Sequence, residues 1–113
     1  MITRKEWSEQ QCYCFLCGYS SFSGYGLETH EIVRGVFRSR GVKHAAAWLR
    51  LCGGLVNNCH QGEVDAWPIA RQLALKKRCD PESYDRVAVN TMRERQPGAV
   101  TEAEVDAEMG NLE

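Results

Sequence analysis

The chain has 113 residues, 43% hydrophobic and 26% charged, which suffices for one compact domain and leaves too little for a second core. Fourteen Lys and Arg against fifteen Asp and Glu give a net charge of -1, so the overall balance favours neither a nucleic acid nor a membrane as partner. The polar and charged stretch Met1 to Gln10 argues against a signal peptide, and the longest apolar run, Ala45 to Leu49, is too short for a membrane span; a protein of the bacterial or host cytoplasm with no membrane partner is expected.

Six cysteines without an export signal point to thiolate ligands rather than disulfides. Residues 12–28 mix Cys, Tyr, Phe, Ser and Gly in short alternations punctuated by Gly18, Gly24 and Gly26, which predicts a knuckle and a β-hairpin. Within it, Cys14-Phe15-Leu16-Cys17-Gly18 places two thiolates on a tight turn, half of a tetrahedral zinc site. The second half falls to Cys52 and Cys59 across a wide loop through Gly53-Gly54, with Cys12 able to replace one member of the quartet. Between Glu31 and Glu63 the charged residues are all basic, and Arg34 to Lys43 reads as a basic loop bounded by Gly35 and Gly41. Ala45 to Cys52 fits a short helix or a strand.

The later elements are helical. Pro68 can occupy a first helical turn, with Ile69 and Leu73 following at i and i+4, and Cys79 reads as an ordinary helix residue. Asp80-Pro81-Glu82 predicts the start of a second helix running to about Arg95, with Tyr84, Val87, Val89 and Met92 inward and Pro97-Gly98 ending it. Thr101 to Glu104 is a capping box for a short third helix. From Gly98 onward every charged residue is acidic, so residues 99–113 are expected to be solvated or to form an acidic tail.

Between the cysteine pairs lies Leu27-Glu28-Thr29-His30-Glu31-Ile32, and His60 directly follows Cys59, giving the order CxxC, His-Glu-Ile, Cys-His. Over roughly residues 12–65 this order resembles the HNH, or ββα-metal, endonucleases with a built-in zinc site, especially small phage-associated versions. In that family a Cys-x-x-Cys knuckle precedes a strand ending in a histidine pair and an aliphatic residue, and a helix opens with Cys-x-x-Cys-His. The resemblance implies that His30 and His60 hold a catalytic divalent cation, Mg2+ or another, and that Ile32 is the aliphatic residue. Glu31 stands where the family has its general-base histidine, and Ala46 or Ala47 where an asparagine would orient that base. The Cys52 to Cys59 spacing is wider than the family's.

A reference pKa near 4.3 makes glutamate a weaker base than histidine, near 6.5, so Glu31 predicts slow hydrolysis or none. Glu31 as a third, anionic metal ligand is the alternative, with hydroxide or His44 deprotonating the water. Arg34, Arg38, Arg40 and Lys43 are the candidate phosphate contacts. The expected fold is α+β: a zinc-stapled ββα-metal, treble-clef-like core over about 12–65, a helical extension over about 66–96 completing one domain of residues 1–98, and two or three C-terminal helices in all. The expected function is a metal-dependent DNA endonuclease; the alternative is a non-catalytic zinc module on the same scaffold that binds DNA or a protein.

Overall fold

The computed structural model of the chain describes residues 2–93 and 99–112. Helix α1, Arg4–Gln10, is opened by Thr3, whose hydroxyl accepts from the Glu6 backbone N–H while the Glu6 carboxylate accepts from the Thr3 N–H. Such reciprocal capping contributes about 1 kcal/mol and lets a seven-residue helix persist long enough to bury Trp7. The knuckle follows: the Gly18 N–H returns to the Cys14 carbonyl at 3.0 Å, and the φ of +81° at position 18 is one that glycine adopts without strain.

The hairpin expected within residues 12–28 is reduced to a single bridge, Tyr13 to Ser20. Strand β1, Leu27–Glu31, pairs instead with the distant β2, Trp48–Cys52, antiparallel with Leu27 opposite Cys52 and Glu31 opposite Trp48. Side chains alternate along a strand, so Glu28 and His30 project to one face and Thr29 to the other. The connection is not the loop predicted for 34–43 but a 3-10 turn, Gly35–Phe37, running into helix α2, Arg38–Gly41. Ala45–Ala47 forms a second 3-10 turn before β2, which resolves the helix-or-strand ambiguity into both.

After β2 come a short helix α3, Cys59–Gly62, then α4, Ile69–Cys79, α5, Arg86–Met92, and α6, Glu102–Asn111. The described residues thus form an α+β fold of one two-stranded antiparallel sheet and six α-helices, the last three being the C-terminal helices expected. Pro68 stands at the N-cap of α4, and the capping box at Thr101 is present as predicted. The helix predicted to begin at Asp80-Pro81-Glu82 begins later, at Arg86, because Asp80 is engaged elsewhere and Asp85 caps the helix by accepting from the Ala88 N–H. That shift leaves Val87 exposed while Val89 and Met92 point inward. The predicted stop at Arg95 and Pro97-Gly98 lies outside the described residues. Nor is the acidic segment a tail: α6 packs along α4 with Val105 fully buried. None of the described helices is long and apolar enough to cross a membrane.

One buried cation ties α1, β2 and α4 together. The Lys76 ammonium, with no exposed surface, donates to the Trp48 carbonyl at 2.9 Å and to Asp80 at 2.7 Å, and lies 4.6 Å from the centre of the Trp7 ring. The same Asp80 oxygen accepts from the Trp7 indole at 2.9 Å. Burial lowers the Lys76 pKa, opposed by Asp80. Removing this ammonium orphans a buried carbonyl and half of an ion pair, so Lys76→Met is expected to cost about 2–4 kcal/mol in urea unfolding. Lys77→Met, which breaks solvent-screened pairs with Glu102 and Asp106 at the surface, should cost clearly less. Equal losses for the two variants would remove the special status given to Lys76.

Candidate functional site

Three elements bring four cysteines together. The knuckle supplies Cys14 and Cys17, the last residue of β2 supplies Cys52, and the first residue of α3 supplies Cys59; their sulfurs all lie within 4.8 Å of one another. Cys17 Sγ and Cys52 Sγ are 3.5 Å apart, and the Asn57 side-chain amide donates to Cys17 Sγ at 3.4 Å. Burial pushes the Cys52 thiol up to about 11 and the Cys59 thiol upward as well. Burial works against Cys17 too, yet donors from the Tyr19 backbone and Asn57 bring it down to about 7. Four sulfurs crowded with so little to neutralise their charge are positioned to hold a metal ion, which would release protons as it binds. Cys12 stands outside, bonded to the Glu9 carbonyl, and Cys79 ends α4 with its thiol on the Phe15 carbonyl.

A second constellation sits at the other end of the sheet. His30, 2% exposed, has Nε2 at 2.7 Å from Gln72 Oε1. Because the Gln72 amide nitrogen donates to the Trp67 carbonyl at 2.9 Å, its oxygen must face His30, and His30 Nε2 must carry the proton. The unprotonated Nδ1 then points toward Asp65, 3.9 Å away. Burial, reinforced by the charge of His60, lowers the His30 pKa although Gln72 and Asp65 pull it upward, so the ring is neutral at neutral pH. His60 is oriented in the same manner: Nδ1 donates to the Glu28 carboxylate at 2.9 Å, which fixes the ring. Gly53 makes room for that carboxylate, since a Cβ at position 53 would fall 2.6 Å from the Glu28 carboxyl carbon.

The two rings meet edge to face at 4.8 Å, and one ligand atom from each of His30, His60 and Asp65 lies within 4.8 Å of the others. Two imidazoles, each fixed through one nitrogen by an acceptor and grouped with a carboxylate, form an arrangement suited to a divalent cation. The atoms open on a polar cavity of about 340 Å³, lined also by Glu31, Arg34, Arg38 and Gln61.

The other sequence-predicted residues divide. Glu31 reaches the cavity, but its Oε1 accepts from Arg38 at 2.7 Å and from Arg4 at 3.2 Å, and the carboxylate grouped with the two histidines is that of Asp65. Arg34 pairs with Asp65 at 3.0 Å on the cavity rim. Arg40 turns away to the Met92 carbonyl and lies over the Phe37 ring, while Lys43 and His44 are exposed residues outside the cavity lining. Ala46 and Ala47 are buried in the 3-10 turn and carry no orienting group. Asp65, Glu28, Gln72 and Arg4 were not singled out from sequence. Glu28 had a signal, standing two residues before His30 on the same strand face; Gln72 had none.

Comparison of the chain with protein-family models, with curated proteins and with solved structures finds no match in any of the three. The cysteine cluster predicts one tightly held metal equivalent per chain. Cys52→Ser should release it and lower Tm, read by elemental analysis and thermal melts, whereas Cys12→Ser should leave both unchanged.

Proposed function

We propose that the protein is a metal-dependent DNA endonuclease of HNH type, built on a zinc-stapled core. The observation that carries the reading is the convergence of His30, His60 and Asp65 at an open polar cavity whose rim holds Arg34 and Arg38. The four-cysteine set suits zinc: Zn–S bonds of about 2.3 Å in a tetrahedron place sulfurs about 3.8 Å apart, and the Cys17 to Cys52 separation is 3.5 Å.

At the second site His30, His60 and Asp65 would hold a divalent cation, Mg2+ or another, which when bound stabilises charge on the phosphate and on the leaving oxygen. The chain supplies the rest. Gln72 and Glu28 keep both imidazoles oriented, so no reorganisation is needed when the phosphate arrives. The half-exposed guanidiniums of Arg34 and Arg38 can exchange their carboxylate partners for phosphate oxygens. Glu31 would take the proton of the attacking water, on the oxygen that Arg4 and Arg38 leave to it.

The tight engagement of Glu31 favours a second reading, a non-catalytic module that binds DNA or a protein through the same scaffold. Plasmid cleavage with magnesium, manganese and nickel separates them. Glu31→Gln is expected to reduce cleavage by roughly ~10²-fold or more while manganese binding persists. If Glu31 instead fills the place of a lost base, Glu31→His should create or raise cleavage, since imidazole titrates near neutral pH. His60→Ala and Asp65→Ala should each abolish manganese binding and cleavage together. Manganese affinity unchanged in the His60→Ala, Asp65→Ala double variant would end the nuclease reading.

A further inference from the structure

On the opposite face of β1 from His30, a second cavity of about 190 Å³ lies between α1 and the 20–24 turn. Its cationic wall is Arg50, only 9% exposed. The Arg50 Nε donates to the Gln11 carbonyl at 3.1 Å and Nη1 to the Thr29 hydroxyl at 3.1 Å. Among the described residues no carboxylate lies within ion-pair distance of it, unlike Lys76, the other buried cation, which Asp80 neutralises. Burying a guanidinium with only neutral partners is costly, and such charges are ordinarily paired. The third nitrogen, Nη2, is directed at Gly24: a Cβ there would fall 3.2 Å from it, so glycine at φ +82° keeps this donor uncovered.

The surroundings match an anion of tetrahedral shape. Lys5 adds a second cation, and Ser8, Ser21 and Ser23 bring hydroxyls to the same cavity. Glu9 also lines it and forms no ion pair with Lys5 or Arg50 among the described residues, so the wall keeps net positive charge. At the rim Phe22 is 99% exposed, an aromatic face with no packing role in the fold. A chain of hydrogen bonds through Thr29 links the cavity to the histidine site: the Thr29 hydroxyl takes Arg50, while its carbonyl takes Arg4, whose guanidinium reaches Glu31.

We infer that this cavity is a phosphate site, in which Arg50 and Lys5 hold a backbone phosphate of a bound nucleic-acid strand and Phe22 stacks on an adjoining base. Aromatic stacking beside a cationic groove is the general means of gripping unpaired strand, and a phosphate on the far side of Arg4 from the metal-binding residues would fix the strand at two points. The nucleic-acid source of the phosphate rests on the nuclease reading; the cavity itself does not.

The full-length, zinc-loaded chain titrated with inorganic phosphate should show amide NMR shifts at Ser8, Ser21, Ser23 and Gly24, lost in Arg50→Met. Because Arg50 also bonds Gln11 and Thr29, Lys5→Glu at an exposed helix position serves as the variant that keeps the fold, and thermal melts check both. A single-stranded oligonucleotide should bind each variant several-fold more weakly, with the slope of log affinity against log salt reduced by about one. Phosphate shifts without any change in oligonucleotide affinity would overturn the nucleic-acid assignment, and the absence of phosphate shifts would overturn the site. His60→Ala, which leaves this cavity intact, separates the two readings: phosphate shifts that persist there without cleavage belong to this cavity alone.

Discussion

Cys59 and His60 are neighbours in the chain and belong to different sites. One turn of helix, α3, sends the first sulfur to the knuckle and the next imidazole to the strand pair, so the cysteine cluster and the histidine site share a single rigid joint. Asn58 sets that joint with a left-handed φ of 51°, a conformation that asparagine tolerates better than most side chains. A four-residue helix has no stability of its own. Whatever anchors Cys59 therefore also fixes His60. The β1–β2 register completes the constraint by placing Cys52 at one end of the sheet and His30 near the other.

The local parts of this design are legible in sequence because their signals are local. The CxxC-Gly knuckle, the Thr101 capping box and the helix after Pro68 each rest on a few adjacent residues, and each stands where the spacing puts it. Reading fails where a residue has two possible employers. Asp80-Pro81 has the form of a helix start, but the Asp80 carboxylate is held by Lys76 and Trp7, and the cap passes to Asp85. The same tertiary capture hides Gln72, a polar residue in the apolar stretch of α4 that only the folded chain brings against His30. Order along the chain suffices to pair His30 with His60; it does not distinguish Glu31 from Asp65 as the accompanying carboxylate.

The structure treats its buried charges in two ways. Lys76 is neutralised and satisfied on all sides, which marks it as structural. Arg50 and the histidine pair retain donors or lone pairs that face open cavities. Polar groups left unfilled at the end of folding are available for ligands, and in this chain they line cavities on the two faces of one strand.

The packing of α6 carries a consequence for motion. Its fully buried contact is Val105, Met109 and Leu112 pack partly buried beside the core, and its polar attachment includes carboxylates facing Lys77, Arg71 and Arg86 at distances of 2.8 to 4.0 Å. Partly exposed pairs of this kind are screened by added salt, whereas the apolar layer beneath α4 is not. Rising ionic strength should therefore loosen this helix relative to the sheet and the cysteine cluster, giving its amides hydrogen exchange that quickens with salt against a core whose exchange does not.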